Sequence, residues 1–236
     1  IKEEVDAIAV MGGYKITPPL MKSMPNLKII ACYGVGYDAI DIDYAKSLNI
    51  KVTNTPEVLN DEVADTAIML WLAVYRRLLE ADRWVRSGDW GRVGPFPLTR
   101  TVQKRKVGIL GLGRIGTTLA KRLEAFGAEI YYYSRSKKNV DFNYQETPEK
   151  LAQNVEVLFV CTPGGRHTEK LVNKNILKAL GSNGTLINVS RGSVVDELAL
   201  LEMLKKHEIA AAGLDVFEAE PNISEKFKFL DNVVLT

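Results

Sequence analysis

The residues with the most specific spacing are three glycines in the segment Gly111–Gly116, which reads GLGRIG. The segment follows the apolar run Val107–Leu110 and opens an amphipathic stretch, which is the context that a dinucleotide-binding turn requires. Gly111 permits the tight turn, Gly113 lets the backbone approach a pyrophosphate, and Gly116 lets the following helix pack against the sheet. The alternative is a glycine turn without a ligand, and the flanking strand and helix patterns argue against it.

The amphipathic segment after this turn supplies the second half of a phosphate site. The first N–H groups of a helix have no partner within the helix, and its dipole places partial positive charge at that end. Arg114 can add a charged contact to a phosphate, and Ile115 lies in the same first turn. We therefore predict that Gly111, Gly113, Arg114, Ile115 and Gly116 bind a dinucleotide cofactor.

The end of the next predicted strand bears on which dinucleotide binds. NAD-binding proteins usually place an acid there, which accepts a hydrogen bond from the ribose 2′-hydroxyl. Here the segment 133–138 reads YSRSKK, and no acid occurs before Asp141. An acid would repel a 2′-phosphate, whereas Ser134, Arg135 and Ser136 would bind one. The sequence therefore predicts that NADP(H) is preferred and NAD(H) is possible; a solvated basic loop without a ligand is the alternative.

The elements that position these residues are short apolar runs separated by amphipathic stretches. The runs after residue 106 are Val107–Leu110, Ile130–Tyr133, Val155–Val160, Thr185–Val189, Ala210–Leu214 and Val233–Leu235. They are nearly all apolar rather than alternating, as expected for strands of a parallel sheet covered on both faces. Between them, Thr147-Pro148-Glu149 is typical of a helix start, and 196–206 predicts another helix. This alternation predicts an α/β fold with a doubly wound parallel sheet.

The first part of the chain repeats this alternation on a smaller scale. Strands are predicted at Val5–Val10, Leu27–Tyr33 and Ile50–Thr53. We expect residues 1–60 to form part of a smaller, flavodoxin-like α/β substrate-binding domain, and residues 61–236 to form the NADP-binding Rossmann domain. One long interdomain helix is predicted over 61–87, followed by a loop to residue 100 that is rich in Gly and Pro. Both ends of the chain interrupt a pattern, so we expect truncation there.

The ends of the predicted strands carry further polar and glycine residues. Ligands in open α/β sheets bind beyond the carboxyl ends of the strands. The segments that follow strands are Gly34-Val35-Gly36, Cys161-Thr162-Pro163-Gly164, Ser190-Arg191-Gly192, and Asp215 with Glu218, Glu220 and Pro221. We therefore expect these glycines, the arginine and the acids to meet in one cleft.

With these segments, nearly the whole chain resembles the D-isomer-specific 2-hydroxyacid dehydrogenase family, in particular its glyoxylate/hydroxypyruvate reductases. The segments that carry the resemblance are Gly34-Val35-Gly36-Tyr37-Asp38, the GLGRIG turn, Cys161-Thr162-Pro163, Asn188-Val189-Ser190-Arg191-Gly192 and Gly213-Leu214-Asp215-Val216-Phe217-Glu218-Ala219-Glu220-Pro221. The last two together are highly specific for the family.

The resemblance implies roles for residues around the substrate. Arg191 matches the arginine that binds the substrate carboxylate and carbonyl, for which a planar guanidinium is well suited. Glu220 matches the acid that orients a catalytic histidine and raises its pKa. The backbone N–H groups of Val35 and Gly36 match those that hold the substrate carboxylate.

The resemblance also implies contacts to the cofactor. Asp215 matches the residue that hydrogen-bonds the nicotinamide amide, and Thr66 matches a contact on the nicotinamide side. Cys161, Thr162 and Pro163 match the family's segment beside the cofactor.

The family's catalytic histidine has no counterpart among these residues. In the family it follows a proline directly after the strand that corresponds to Val233–Thr236, where this chain stops. His167 and His207 do not substitute for it, because both are expected on the surface, the latter at a helix C-terminus where a cation is favourable. We therefore expect the histidine to belong to an omitted or disordered C-terminal segment.

The implied activity is that of an NAD(P)-dependent oxidoreductase acting on the CH–OH group, which reduces a small 2-keto acid to the D-2-hydroxy acid. Glyoxylate and hydroxypyruvate are the expected substrates, and bulkier arylpyruvates stay open. Tyr33, Val35, Tyr37 and the loop 92–97 are candidates to line the pocket. Phe96 of that loop either reaches a partner subunit's site or simply packs within its own chain.

Other functions remain possible at this stage. NAD(H)-sensing corepressors resemble these enzymes, although the basic segment after the second strand argues against that class. An NAD-dependent phosphoglycerate or formate dehydrogenase is the second alternative.

The composition sets broader limits. The chain has 236 residues, is 46% hydrophobic and 25% charged, and carries a formal net charge of +2. Such values are typical of a globular protein and indicate no nucleic-acid or membrane partner. Cys32 and Cys161 end apolar runs and are expected to be reduced thiols of a cytoplasmic protein. We predict no metal site, and the resemblance implies a homodimer formed through the long apolar helix.

Overall fold

Two parallel sheets organise the chain, for which the computed structural model describes residues 2–11 and 13–236. The smaller sheet has the order β1-β2-β3, with β1 at Ala7–Met11, β2 at Ile29–Tyr33 and β3 at Lys51–Thr53. Helices α1 (Pro18–Lys22) and α2 (Ile42–Ser47) connect these strands.

The larger sheet has seven parallel strands in the order β10-β9-β8-β7-β4-β5-β6. Its strands are β4 (Lys106–Leu110), β5 (Glu129–Tyr133), β6 (Asn143–Tyr144), β7 (Val157–Val160), β8 (Thr185–Asn188), β9 (Ala211–Leu214) and β10 (Val233–Leu235). The helices within this region are α6 (Arg114–Glu124), α7 (Pro148–Gln153), α8 (Lys174–Leu180) and α9 (Glu197–Lys205). The predicted doubly wound α/β fold is confirmed, and the two-residue strand β6 was not predicted.

The strand order reverses between β4 and β7. From β4 the chain runs through α6 to β5 and β6, whereas β7, β8, β9 and β10 follow one another on the other side. In open parallel sheets the crevice at such a reversal, beyond the carboxyl ends of the strands, is where ligands bind. The topology therefore places the turn after β4 beside the end of β7.

Buried apolar side chains fix this arrangement. All residues of β7 and β8 are buried, which accounts for the apolar side chains throughout β7 and at Leu186 and Ile187 of β8. Trp71 on the preceding helix is fully buried and contacts the ring of Phe159 edge to face at 5.8 Å between centroids. Helix α7 begins as predicted, because the hydroxyl of Thr147 accepts a hydrogen bond from Lys150 N at 3.1 Å.

The predicted helix over 61–87 is in fact two helices. Helix α3 (Asn60–Tyr75) ends before Arg77, whose φ of 48° lies in the left-handed region, and α4 (Leu78–Arg86) follows. Arg77 is held there by an ion pair with Glu80 and by the ring of Phe96, 5.0 Å from its guanidinium carbon. These contacts divide the predicted interdomain helix into a buried part and an exposed part. A short helix, α5 (Asp89–Arg92), also lies in the predicted loop.

Within the described ranges, no helix combines the length and apolar character needed to cross a membrane.

Candidate active site

The glycine turn after β4 is shaped by its neighbours. Gly111 has a φ of 105°, and a Cβ atom there would lie 2.9 Å from the backbone of Cys161. A Cβ atom at Gly116 would lie 2.3 Å from the carbonyl oxygen of Gly111. The turn therefore packs directly against the end of β7, at the reversal of strand order, and the two glycines are required by the fold itself.

Gly113 differs from these two glycines, because no protein atom accounts for it. It has an ordinary φ of −90° at the N-cap of α6, and a Cβ atom there would have no neighbour within 4 Å. The backbone at Gly113 faces open space at the positive end of a helix. A group that approaches this backbone closely, such as a pyrophosphate, explains the glycine.

The basic segment after β5 lies next to this turn. Gly111 N donates a hydrogen bond to the carbonyl oxygen of Tyr133 at 2.9 Å, which joins the two segments. Ser134 donates to the carbonyl oxygen of Ser136 at 2.7 Å, so its hydroxyl serves the local turn. Arg135 is exposed and has no hydrogen bond or ion pair to any described residue. Its guanidinium is therefore available to an anion.

Arg114 and Ile115 are the other predicted cofactor residues of the turn. Arg114 forms an ion pair with Glu57 at 3.0 Å, and about two thirds of each side chain is exposed (64% and 66%). Such an exposed pair is weak, so a phosphate can compete for this arginine. Ile115 is partly buried in the first turn of α6.

The segment after β7 offers one polar group to a ligand. The hydroxyl oxygen of Thr162 is buried and has no hydrogen-bond partner within the described chain. Such an orphan is costly unless a bound group satisfies it. Burial raises the pKa of the Cys161 thiol to about 12, which disfavours its thiolate form. Pro163 follows at the exposed end of the segment.

Two further predicted cofactor contacts are engaged within the protein. Thr66 lies on α3, and its hydroxyl donates to the carbonyl oxygen of Glu62 at 2.9 Å. Asp215 follows β9, and its carboxylate accepts a hydrogen bond from the hydroxyl of Thr236 at 3.0 Å. Asp215 is partly exposed beyond the end of its strand, so the position predicted for the nicotinamide side is accessible.

Arg191 lies where loops from both sheets meet. Its Nε donates to the carboxylate of Asp38 at 3.1 Å, and its Nη1 donates to the carbonyl oxygen of Ser190 at 2.7 Å. A Cβ atom at Gly36 would lie 1.6 Å from Nη2 of Arg191, so the guanidinium lies against the Gly36 backbone. The buried side chain of Asn188 holds the turn, because it donates to the carbonyl oxygen of Arg191 at 3.1 Å.

The loop after β2 presents unpaired N–H groups beside this guanidinium. The side chain of Asn54 donates to the carbonyl oxygen of Val35 at 2.9 Å, and Thr55 N donates to that of Gly34 at 3.0 Å. The N–H groups of Val35 and Gly36 have no acceptor among the described residues. The structure thus brings two backbone donors and a guanidinium together, which is a suitable site for a carboxylate.

Glu220 lies in the neighbouring loop after β9. Its carboxylate accepts a hydrogen bond from Phe217 N at 2.9 Å, and the side chain is exposed. No hydrogen bond or ion pair links Glu220 to Arg191 in the part of the chain that the structure describes. The two residues therefore follow the adjacent parallel strands β8 and β9, at the same edge of the sheet.

Glu197 is a residue of this region that the sequence did not single out. It lies at the start of α9 and accepts a hydrogen bond from Glu218 N at 2.5 Å. Burial raises the pKa of this carboxyl above its usual 4.5, and the charges of Glu218 and Glu220 act in the same direction. Asp38 was likewise missed as a partner of Arg191, since nothing in the sequence signals a contact between residues so far apart.

The remaining predicted residues lie outside this cluster. His167 and His207 are both exposed, in agreement with the surface positions expected for them. Tyr33 and Tyr37 are also exposed and flank the loop after β2. Phe96 packs edge to face on Trp84, with 5.9 Å between the ring centroids. Within residues 2–11 and 13–236, no group of three or more His, Cys, Asp or Glu residues is placed to hold a metal ion.

The features of the crevice fit a phosphorylated dinucleotide. The unexplained glycine at 113, the orphan hydroxyl of Thr162 and the unpaired Arg135 lie around the carboxyl ends of β4, β7 and β5. The carboxylate site at Arg191 follows β8, the next strand in the sheet. A dinucleotide that lies across the strand ends would therefore approach the carboxylate site with its nicotinamide end.

Comparisons with known proteins identify the family of this chain. The model of the D-isomer specific 2-hydroxyacid dehydrogenase NAD-binding domain matches residues 68–236. The glyoxylate/hydroxypyruvate reductase A of Arabidopsis thaliana is 48% identical over 217 residues, which cover 92% of this chain and 69% of that protein. The hydroxyphenylpyruvate reductase of Plectranthus scutellarioides is 45% identical over 234 residues, which cover 99% of this chain and 74% of that protein.

A solved structure extends the similarity to three dimensions. The NADPH-dependent glyoxylate/hydroxypyruvate reductase of Sinorhizobium meliloti, crystallised with NADP and malonate, has a TM-score of 0.94 and 48% identity, with 99% of this chain and 73% of that chain covered. The dinucleotide-binding turn, the guanidinium among backbone donors and these similarities lead to one assignment. The chain belongs to the D-isomer specific 2-hydroxyacid dehydrogenase family.

Proposed function

We propose that this protein reduces glyoxylate, hydroxypyruvate or a similarly small 2-keto acid to the D-2-hydroxy acid, with NADPH as the electron donor. The observation that carries the proposal is the position of Arg191, whose Nη2 lies against the Gly36 backbone. The neighbouring N–H groups of Val35 and Gly36 have no acceptor in the part of the chain that the structure describes. Arg191 follows β8 in the same sheet whose β4 and β7 flank the dinucleotide turn. A 2-keto acid carries the carboxylate and the carbonyl that these donors would hold.

The chain's own residues orient and polarise the substrate. The N–H groups of Val35 and Gly36 bind the substrate carboxylate, and Arg191 donates to the carboxylate and to the carbonyl oxygen. As negative charge develops on that oxygen, the guanidinium stabilises it, since a fixed donor needs no reorganisation. NADPH supplies the hydride when bound. Glu220 is the carboxylate that would keep the family's catalytic histidine, the proton donor of the reaction, in its charged form.

The preference for NADPH rests on the segment after β5. Arg135 has no hydrogen bond or ion pair to a described residue, and no acid lies between Tyr133 and Asp141 to repel a 2′-phosphate. The similarity to a reductase described as NADPH-dependent supports the same preference. We propose that Thr66, Thr162 and Asp215 make the remaining contacts to the cofactor.

Domain roles follow from the same assignment. We propose that residues 1–60 provide substrate-binding groups such as Gly36, and that residues 61–236 bind the cofactor.

We also propose that the protein is a homodimer. Helix α3 is occupied by packing against α6, but the segment 78–98 exposes several large apolar side chains, which a second copy would cover. These are Leu78, Leu79, Val85, Trp90, Val93 and Leu98.

A cytoplasmic location is proposed from the cysteines. Cys32 and Cys161 are both free thiols, which suits a reducing compartment.

A substrate panel tests the proposed function. The full-length protein would be mixed with NADPH or NADH and with glyoxylate, hydroxypyruvate, pyruvate or phenylpyruvate, and loss of reduced nicotinamide absorbance would be followed. We expect the highest kcat/KM with NADPH and either glyoxylate or hydroxypyruvate. A clear preference for NADH, or no turnover of any 2-keto acid, would contradict the proposal.

A further inference from the structure

We propose that Asp38 is a positioning residue, which holds the guanidinium of Arg191 in the orientation needed for the reduction; this inference rests on the proposed function. Asp38 follows β2 of the smaller sheet, whereas Arg191 follows β8 of the larger one, 153 positions later in the sequence. The pair therefore fixes the arginine relative to a loop that belongs to the other sheet.

The hydrogen bonds of Arg191 divide its donors into used and unused ones. Nε donates to Asp38 Oδ1 at 3.1 Å, with Oδ2 at 3.4 Å, and Nη1 donates to Ser190 O at 2.7 Å. Nη2 makes no hydrogen bond to a described residue, and it is the atom that lies against Gly36. Asp38 thus turns the unused side of the guanidinium towards the unpaired N–H groups.

The packing around the pair is tighter than a chance surface contact requires. A Cβ atom at Gly164 would lie 2.7 Å from Oδ2 of Asp38 and 2.8 Å from Cγ of Arg191. A Cβ atom at Gly36 would also lie 3.0 Å from Oδ1 of Asp38. Glycines at 36 and 164, from loops after β2 and β7, therefore make room for both side chains. An incidental ion pair on a surface would need no such space.

The ion pair between Asp38 and Arg191 should matter for the orientation of the guanidinium more than for the stability of the fold. The two side chains are 39% and 27% exposed, and ion pairs of this kind contribute only about 0–1 kcal/mol to folding. Removing the carboxylate should therefore leave the fold intact. It should also raise the net positive charge that a substrate carboxylate meets, while it frees the guanidinium to rotate. Ground-state binding is then kept or strengthened, and the transition state loses a well-oriented donor.

The kinetic test is Asp38→Asn, which keeps the size of the side chain and removes its charge. In the full-length enzyme with saturating NADPH, we expect kcat for glyoxylate to fall on the order of tenfold or more, because misorientation of a catalytic group is costly. KM for glyoxylate should stay the same or fall, and Asp38→Glu should recover part of kcat. The matched control is Glu156→Gln, which removes a carboxylate from a similarly exposed pair with Arg105 before β7 and should leave kcat unchanged.

A second measurement keeps the inference independent of turnover. The Nε–Hε resonance of Arg191, assigned by its loss in Arg191→Lys, should be protected from solvent exchange in the wild type and exchange faster in Asp38→Asn. If the wild type reduces no 2-keto acid, the proposed function is contradicted. The exchange rate of the Arg191 Nε–Hε proton would then still test whether Asp38 holds the guanidinium. Equal exchange in both proteins, an unchanged kcat, or a rise in KM at constant kcat would overturn the role of Asp38.

Discussion

The backbone of Gly192 lies directly on that of Phe217, so that a Cβ atom at position 192 would be 1.8 Å from the carbonyl carbon of Phe217. This contact joins the loop that carries Arg191 to the loop that carries Glu220. The main chain therefore fixes the position of the Arg191 loop relative to the Glu220 loop.

Replacement of Gly192 with Ala should lower the stability of the protein. The added methyl group collides with backbone rather than with a flexible side chain, so one loop must move. We expect the free energy of unfolding to fall by about 2 kcal/mol, as for other overpacked sites. Urea unfolding would measure this loss. Gly91→Ala is the control, because a Cβ atom at Gly91 has no neighbour within 4 Å, and equal stability of the two variants would contradict the prediction.

Gly113→Ala separates cofactor binding from folding. No described atom lies within 4 Å of the added methyl group, so the free energy of unfolding should change by no more than about 1 kcal/mol. The methyl group would block the close approach of a pyrophosphate, and we expect the Kd for NADPH to rise about tenfold or more. Titration of nucleotide fluorescence would measure the Kd. An unchanged Kd would show that the turn does not contact phosphate.

Arg135→Asp should reverse the choice of cofactor. The substitution removes an unpaired guanidinium and supplies an acid that can accept a hydrogen bond from a ribose hydroxyl. We expect kcat/KM for NADPH to fall by a factor of about ten to one hundred relative to that for NADH, as for the loss of a charged hydrogen bond. Lys178→Asp, which makes the same charge change on α8, should leave the ratio alone. A ratio unaffected by Arg135→Asp would mean that the loop does not bind the 2′-phosphate.

Glu197 and Glu202 should have opposite effects on the pH dependence of stability. Burial raises the pKa of Glu197 above 4.5, so the stability it contributes is present below pH 4.5 and is lost as the pH rises through the folded value. Hydrogen bonds from Lys206 and Lys174 lower the pKa of Glu202 to about 2, so its contribution is present above pH 4.5 and is lost towards pH 2.

Urea unfolding of Glu197→Gln and Glu202→Gln from acid to neutral pH tests these signs. The stability advantage of the wild type over Glu197→Gln should shrink with rising pH, and its advantage over Glu202→Gln should grow. Two slopes of the same sign would contradict the proposed environments of these carboxylates.

Local patterns predicted the parts of the fold that depend on local causes. Apolar runs located every strand of the two sheets except β6 to within a few residues, and Thr147 marked the start of α7. The break at Arg77 was missed, because the apolar pattern continues across it and its partners Glu80 and Phe96 become neighbours only in the folded chain.

Some features of the candidate site could be predicted from the sequence, and others could not. The glycine turn and Arg191 could be predicted because each stands at a strand end, where topology alone decides what meets. The pairing of Arg191 with Asp38 joins loops of two different sheets, and it depends on the packing at Gly36 and Gly164. No periodicity or motif spacing records such a contact, so it emerges only from the structure.

The proposed role of Arg191 in binding and polarising the substrate is tested by comparing the wild type with Arg191→Gln in the reduction of glyoxylate by NADPH. The glutamine keeps a polar side chain but loses the charged, forked donor set that would bind the carboxylate and the developing oxyanion. For Arg191→Gln we expect kcat/KM to fall on the order of a hundredfold or more, with a raised KM and an unchanged Kd for NADPH. A kcat/KM that stays within about twofold of the wild-type value would contradict it.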